Sequence, residues 1–279
     1  MMDDQRPVAT GEPVMDYLRR GSAPLSERVW AALDEASAQS ARHVLTGRRV
    51  ATFDGPKGWE YTAVRLGTVT PCATQEGTAV VCMPELVLLA EIRADFTLPW
   101  SLVEVFERGA PTLDTQAAET AAREVALAED RLVLYGDPVG IGFLTAPKSP
   151  RIQIGDWKQT HQLIADLVQA VETLDANAIP GPYEAILSST RYYTYMQATT
   201  EAGYPASRTV EKVLKAVHRS PVMRDGGAVF SMRGGDFVIT VGGDLAPGYR
   251  WHDRESIHLF CAETLAPQMV TPEAVCLLS

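Results

Sequence analysis

Gly55-Pro56-Lys57-Gly58-Trp59-Glu60-Tyr61 follows closely on a basic Gly47-Arg48-Arg49 and has a counterpart far downstream. The counterpart runs Met232-Arg233-Gly234-Gly235-Asp236-Phe237, then Gly243-Asp244-Leu245-Ala246-Pro247-Gly248-Tyr249. Each island is turn chemistry set inside strand-forming sequence, with glycine supplying positive φ and proline a fixed one. Neither holds a nucleophile beside a base or a set of residues able to cage a metal. The combination predicts a protein whose role is shape rather than bond-breaking.

Outward from the first island, Val50-Ala51-Thr52-Phe53 leads into the 55–58 turn, residues 61–69 alternate loosely, and residues 86–93 form the strongest strand of the stretch. This β excursion lies between helices and carries little apolar mass. It reads as an arm that needs a partner to cover its backbone. Around the second island, residues 228–232 and 237–241 flank Gly234-Gly235 as a tight hairpin, and residues 257–261 and 268–277 supply two further strands.

Helical sequence fills the rest. Ser26 is an N-cap with Glu27 in the first turn, and Leu25, Val29, Leu33, Ala36, Val44 and Leu45 make a thin apolar stripe closed by Gly47. Such a helix lies across a sheet rather than being engulfed. A longer helix opens at Thr112 or Asp114 and runs to Gly136; rich in Ala and Glu, it reaches ~30 Å and serves as a spine. A third helix covers about residues 158–176, stops at Pro180-Gly181-Pro182, and precedes a buried strand at 183–187. Residues 191–197 and 208–217 read as short helices separated by Thr200-Glu201-Ala202-Gly203-Tyr204-Pro205. Residues 1–23 are polar and read as a mobile extension. The fold class is α+β.

Composition narrows the function. With 279 residues, 46% hydrophobic and 22% charged, the chain fits one large domain or two closely packed ones. A formal net charge of −10 argues against a general grip on nucleic-acid phosphate, and Arg42, Arg48 and Arg49 read as the cationic end of a helix. The first residues lack the pattern of a secretory signal, and no apolar run approaches the ~20 residues that cross a bilayer. Cys72, Cys82, Cys261 and Cys276 show no C-x-x-C spacing and read as thiols in a reducing cytosol.

Candidate chemistry is sparse. His252 and His258, with Asp253 and Glu255, could share one face of a continuous strand, but no third ligand is anchored and a surface role fits better. His43, His161 and His218 are isolated. Gly140-Ile141-Gly142 lacks the context of a dinucleotide fingerprint, and neither a nucleophile elbow nor a phosphate-binding loop is present. Glu129-Asp130-Arg131 could be a catalytic acid pair, though a solvated or ion-paired helix face is the better reading. Trp59, Trp100, Trp157 and Trp251 sit beside turns, where aromatics anchor interfaces.

The ordered set of motifs resembles family 1 encapsulins. It comprises Ala23-Pro24-Leu25 with its helix, Gly47-Arg48-Arg49, Gly55-Pro56-x-Gly58-Trp59-Glu60-Tyr61, Phe96-Thr97-Leu98, Glu107-Arg108-Gly109 and Glu129-Asp130. It continues through Gly181-Pro182-Tyr183, Gly203-Tyr204-Pro205, Arg233-Gly234-Gly235-Asp236-Phe237, Asp244-Leu245 with Gly248-Tyr249, and Glu263-Thr264, so nearly everything from Ala23 onward is covered.

The resemblance implies an HK97 phage-capsid fold. It divides the chain into a flexible extension (1–23), an N-terminal helix (24–47), an E-loop with leading P-domain strands (48–100), a spine-helix region (101–136), an A-domain (137–225) and C-terminal P-domain strands (226–279). It implies a closed icosahedral shell of about sixty subunits or a multiple in the bacterial cytoplasm. That shell encloses a dye-decolourising peroxidase or ferritin-like cargo through a C-terminal targeting peptide, with no cofactor, metal, nucleic acid or membrane. Carried over by position, the cargo groove comprises Arg48, Asp244, Leu245, Tyr249, Ile257 and Leu259, and the pore loop comprises Glu201, Gly203 and Tyr204.

The chain departs from the family at several points. Ala41 and Thr52 stand where members often carry an aromatic and an acid, the extension is longer than usual, and Trp100 is offset by one, so no flavin site is carried over. A prophage capsid protein is the nearest rival, set back by the short stretch before the first helix. A soluble enzyme is a distant third.

Overall fold

The computed structural model describes residues 16–72 and 81–279. Residues 1–15 of the expected extension lie outside them. The first helix, α1 (Glu27–Arg42), starts where expected, the Ser26 hydroxyl accepting from the Val29 amide. It ends at Arg42, not at Gly47. Gly47 opens a separate 3-10 turn (Gly47–Arg49) that passes so close to the spine that a Cβ there would stand 2.6 Å from Val133 Cγ1. Val133 is fully buried and cannot yield. Gly47→Ala is therefore expected to cost about 1–3 kcal/mol, read as a lower midpoint in thermal or urea unfolding.

Strand β1 (Thr52–Asp54) enters the first sheet, and the arm follows as a hairpin of β2 (Ala63–Cys72) and β3 (Val81–Leu88). These two strands pair only with each other. Leu66, Met83, Leu86 and Leu88 are exposed on them, which is the unpartnered arm the sequence predicts. The strand expected at 86–93 is broken at Leu89, whose amide donates to Thr62 O, and β4 (Ala90–Pro99) begins beyond it. The helix α2 (Trp100–Glu107) was not expected; it buries Val103 and Phe106, an i, i+3 pair.

The spine is α3 (Gln116–Tyr135), closed by Gly136 at φ 74°. Next come β5 (Arg151–Ile152), α4 (Thr160–Ala176), the wholly buried β6 (Tyr183–Ser188), α5 (Ser189–Gln197) and α6 (Ser207–Val210). The helix expected at 208–217 stops at Val210, because residues 216 and 217 belong to β7 (Ala216–Ser220), parallel to β6. The last strands are β8 (Gly227–Ser231), β9 (Phe237–Val241), β10 (Ala246–His252), β11 (Ser256–Met269) and β12 (Val275–Leu278). The two strands expected at 257–261 and 268–277 are thus redrawn. A single 14-residue β11 covers the first and reaches into the second, and the remainder forms β12.

One sheet runs β1-β9-β11-β10, with β4 also on β11; the other runs β5-β12-β8-β6-β7. The Gly234-Gly235 turn is therefore no hairpin. Both glycines have positive φ, but β8 pairs with β6 and β12 while β9 pairs with β1 and β11, so the turn carries the chain between sheets. Arg233 and Asp236 bridge it at 2.7 and 2.8 Å.

The spine joins two cores. Its Ala118, Ala121, Ala122 and Val125 pack with Val29, Leu33, Phe96, Leu98, Ile257 and Leu259, and its Leu132, Val133 and Leu134 pack with α4 and the second sheet. Both cores exclude water, so the helix is held at each end by apolar burial rather than by propensity alone.

Candidate functional site

Arg48 occupies the junction of four segments. The 3-10 turn presents it, α3 brings Glu129, β11 brings Glu263, and the turn after β9 brings Asp244. Its guanidinium donates to both oxygens of Glu129 (2.6 and 2.9 Å), to Glu263 Oε2 (2.9 Å) and to Asp244 Oδ1 (2.9 Å). Glu129 and Glu263 side chains are 0% exposed, whereas Asp244 is 45% exposed. The Phe53 ring lies 5.1 Å away beneath the guanidinium. Burial opposes the charge of Arg48, but Glu129 first, then Glu263 and Asp244, hold it firmly protonated.

The Glu129-Asp130-Arg131 stretch is therefore no solvated helix face. Glu129 and Asp130 are both buried, and Arg131 alone faces water. Asp130 accepts from the Thr46 and Gly47 amides at 2.9 Å, bracing the turn that aims Arg48. Burial raises its pKa to about 6 against the pull of those two amides. The signal in the sequence was the adjacency of two acids on an otherwise alanine-rich helix; their partners lie 81 and 84 residues away.

The six expected groove residues separate by depth. Arg48 and Asp244 do meet, but within the ion cluster. Leu245 is half-buried between the spine and the end of α1, and its amide is held by Asp244 Oδ1 at 2.9 Å. Tyr249 is 9% exposed and donates to or accepts from His252 Nδ1 at 2.6 Å. Ile257 and Leu259 are 0% exposed. They lie on the inward face of β11, paired with Leu98 and Phe96, and belong to the core beneath the surface rather than to a groove wall.

The β10 edge is also occupied. Tyr249 N donates to Leu18 O at 2.8 Å and Pro247 O accepts from Arg20 Nε at 2.9 Å. Arg20 forks onto Asp34 of α1 at 2.8 and 2.5 Å, and Tyr17 stacks on Trp59 with centroids 4.3 Å apart. Residues 17–20, expected to be mobile, are thus fastened across this edge. An extended peptide cannot add its main chain at Pro247 or Tyr249 while they stay there.

The 200–205 loop closes on itself. Thr200 N donates to Tyr204 O and Gly203 N to Thr200 O, both at 2.8 Å, with Gly203 at φ 79°. Glu201, Gly203 and Tyr204 are all exposed, and Arg208 covers the Tyr204 ring at 5.6 Å.

His252 and His258 lie on separate strands, β10 and β11, not on one. His258 stacks on Trp251 at 3.8 Å and meets Asp253 at 3.3 Å, and no group of residues suited to a metal occurs among the described residues. Trp157 is not a surface anchor: it is 2% exposed, its Nε1 donating to the buried Asp166. No helix among the described residues is long and apolar enough to cross a membrane.

The described residues thus combine a two-stranded arm that pairs with no other strand among them, a spine helix shared by two cores, and two five-stranded sheets. Solved structures carry this HK97-type fold. A virus-like particle from Pyrococcus furiosus matches with TM-score 0.70 over 90% of this chain and 99% of its own, at 15% identity. The capsid of Myoviridae phage XM1 matches with TM-score 0.60 over 84% and 91%, at 10% identity. At such identities the likeness is one of fold, common to phage capsids and encapsulins.

Sequence separates the two. The family model described as the encapsulating protein for peroxidase matches residues 15–266. The type 1 encapsulin shell protein of Rhodospirillum rubrum is 33% identical over 275 residues, 93% of this chain and 95% of that one. The chain belongs to the encapsulin shell family, whose members are structural proteins rather than enzymes.

Proposed function

We propose that this protein assembles in the bacterial cytoplasm into a hollow icosahedral shell of about sixty subunits or a multiple, and encloses a peroxidase or ferritin-like enzyme through a C-terminal targeting peptide. The observation that carries assembly is the β2–β3 hairpin, which pairs with no other strand among the described residues and exposes Leu66, Met83, Leu86 and Leu88. Neighbouring subunits supply the missing partner. The family description supports a peroxidase as the enclosed enzyme.

The targeting peptide docks where Asp244 and Leu245 reach the surface beside α1, with Tyr249 at the margin. Leu245 offers apolar contact and Asp244 an acceptor for a basic side chain. Arg48 acts from below by holding Asp244, and Ile257 and Leu259 support the floor. Because the β10 edge is already bonded at Pro247 and Tyr249, recognition runs through side chains, or through displacement of residues 17–20. One short peptide binds weakly in this mode, and a multimeric cargo gains firmness from several tails acting at high effective concentration.

The 200–205 loop borders a pore, with Glu201 setting its charge. Its exposure supports this, together with the A-domain position that the family resemblance implies. Co-expression with a candidate peroxidase or ferritin-like protein tests the reading: the cargo should co-purify with intact particles and be lost when its C-terminal tail is removed. Equal loading without the tail would refute the docking mode, and a particle structure with Glu201 far from every symmetry axis would refute the pore.

A further inference from the structure

We propose that Glu129 and Glu263 share one proton beneath Arg48, making the cluster a pH-sensitive latch that joins α3, β11 and the Asp244 turn. This concerns the subunit itself and stands whatever docks on its surface.

The geometry requires an uneven charge. Arg48 supplies one positive charge, and three carboxylates close on it within 2.9 Å. Glu129 Oε2 and Glu263 Oε2 compete for the same Nη2, at 2.9 Å each. Asp244 is half in water, with a side chain 45% exposed. Glu129 and Glu263 are shut off from solvent, and Glu263 Oε1 is buried with no hydrogen-bond partner among the described residues. An ionised carboxylate with an orphaned oxygen is expensive to bury, whereas a protonated one becomes a donor. Glu129, which meets Glu263 at the same Arg48 Nη2, is placed to accept that hydrogen bond.

Among the described residues, the charged groups that bear on the cluster are Arg48 from the 3-10 turn, Glu129 and Asp130 from α3, Glu263 from β11 and Asp244 from the turn before β10. The strand β1 contributes the Phe53 ring, while its Asp54 pairs with Lys57. Burial first, and then the charge of Glu129, push Glu263 well above the usual carboxylate range, with Arg48 opposing.

The sign follows from the raised pKa. Glu263 binds its proton more tightly folded than unfolded, so its stabilising contribution is complete below the unfolded carboxyl value. It is lost as pH rises through the folded value. Asp130, pushed up to about 6, acts with the same sign, and Asp130→Asn separates its contribution from that of Glu263. With the proton gone, Arg48 faces three anions, and Asp244, the exposed member, is the one free to swing away.

Infrared spectra of assembled shells, followed upward in pH from just above the ordinary carboxylate range, read the proton directly. A protonated-carboxyl band is expected in the natural protein, absent from Glu263→Gln and from Glu129→Gln, where a lone Glu263 ionises against Arg48, and retained in Asp130→Asn. Glu263→Gln, which imitates the protonated side chain, should also melt at an unchanged temperature at low pH and lose part of the decline toward high pH. No band in the natural protein, a band that survives Glu263→Gln, or one removed only by Asp130→Asn would each overturn the latch. The spectrum of the natural protein decides its presence even if a variant fails to fold.

Discussion

Arg48→Met is expected to lower subunit stability by about 3–5 kcal/mol, the range for breaking a buried ion cluster from one side. Glu129 and Glu263 are 0% exposed and would be left without a counter-charge, while Asp244 would turn to water. The melting temperature should fall by roughly 10 °C, or soluble particles should disappear. Arg48→Lys should recover little, because an ammonium cannot fork onto Glu129 and still reach Glu263 and Asp244. The triple variant Arg48→Met, Glu129→Gln, Glu263→Gln should recover much of the loss, since it removes the stranded charges. If Arg48→Met shells melted normally and lacked only cargo, the residue would be a peptide contact and not the keystone of the junction.

Leu245→Asp is expected to empty the shells while leaving them assembled. Leu245 is half-buried at the surface between the spine and the end of α1, so a carboxylate there keeps access to water in the unloaded subunit. A docked peptide would remove that water, at about 1–3 kcal/mol, or roughly tenfold or more in affinity per tail. Multivalent cargo multiplies the loss, because each tail contributes to the same retention. Ile257→Asp is the matched control. At 0% exposure it should abolish folding, not loading. Cargo per particle after co-expression separates the outcomes: full loading of Leu245→Asp would defeat the docking assignment, and loss of particles would make Leu245 a core residue.

The two variants also mark where sequence reading stopped. Periodicity located α3 and α4, and the Ser26 cap located α1, because each signal is local and each helix buries one face. Depth is not local. Ile257 and Leu259 enter the groove through the resemblance, which carries position along the chain but not depth; α1 and the spine cover them here. Gly234-Gly235 announced positive φ correctly, yet a turn residue does not specify which sheet receives the next strand. The segment α2 escaped notice because Val103 and Val105 favour strands, and only the packing of Val103 with Phe106 makes it helical. The ion cluster was legible as residues and illegible as a site, since Arg48, Glu129, Asp244 and Glu263 are brought together by tertiary structure alone.

The central claim is assembly, because the β2–β3 arm has no partner strand among the described residues of its own subunit. Mass photometry of the purified protein at physiological salt tests it most directly. The expected result is one dominant closed particle of about sixty, or a multiple of sixty, subunits of 30.4 kDa each, formed without any partner protein. Monomers and dimers alone, under conditions where the chain is folded, would contradict it.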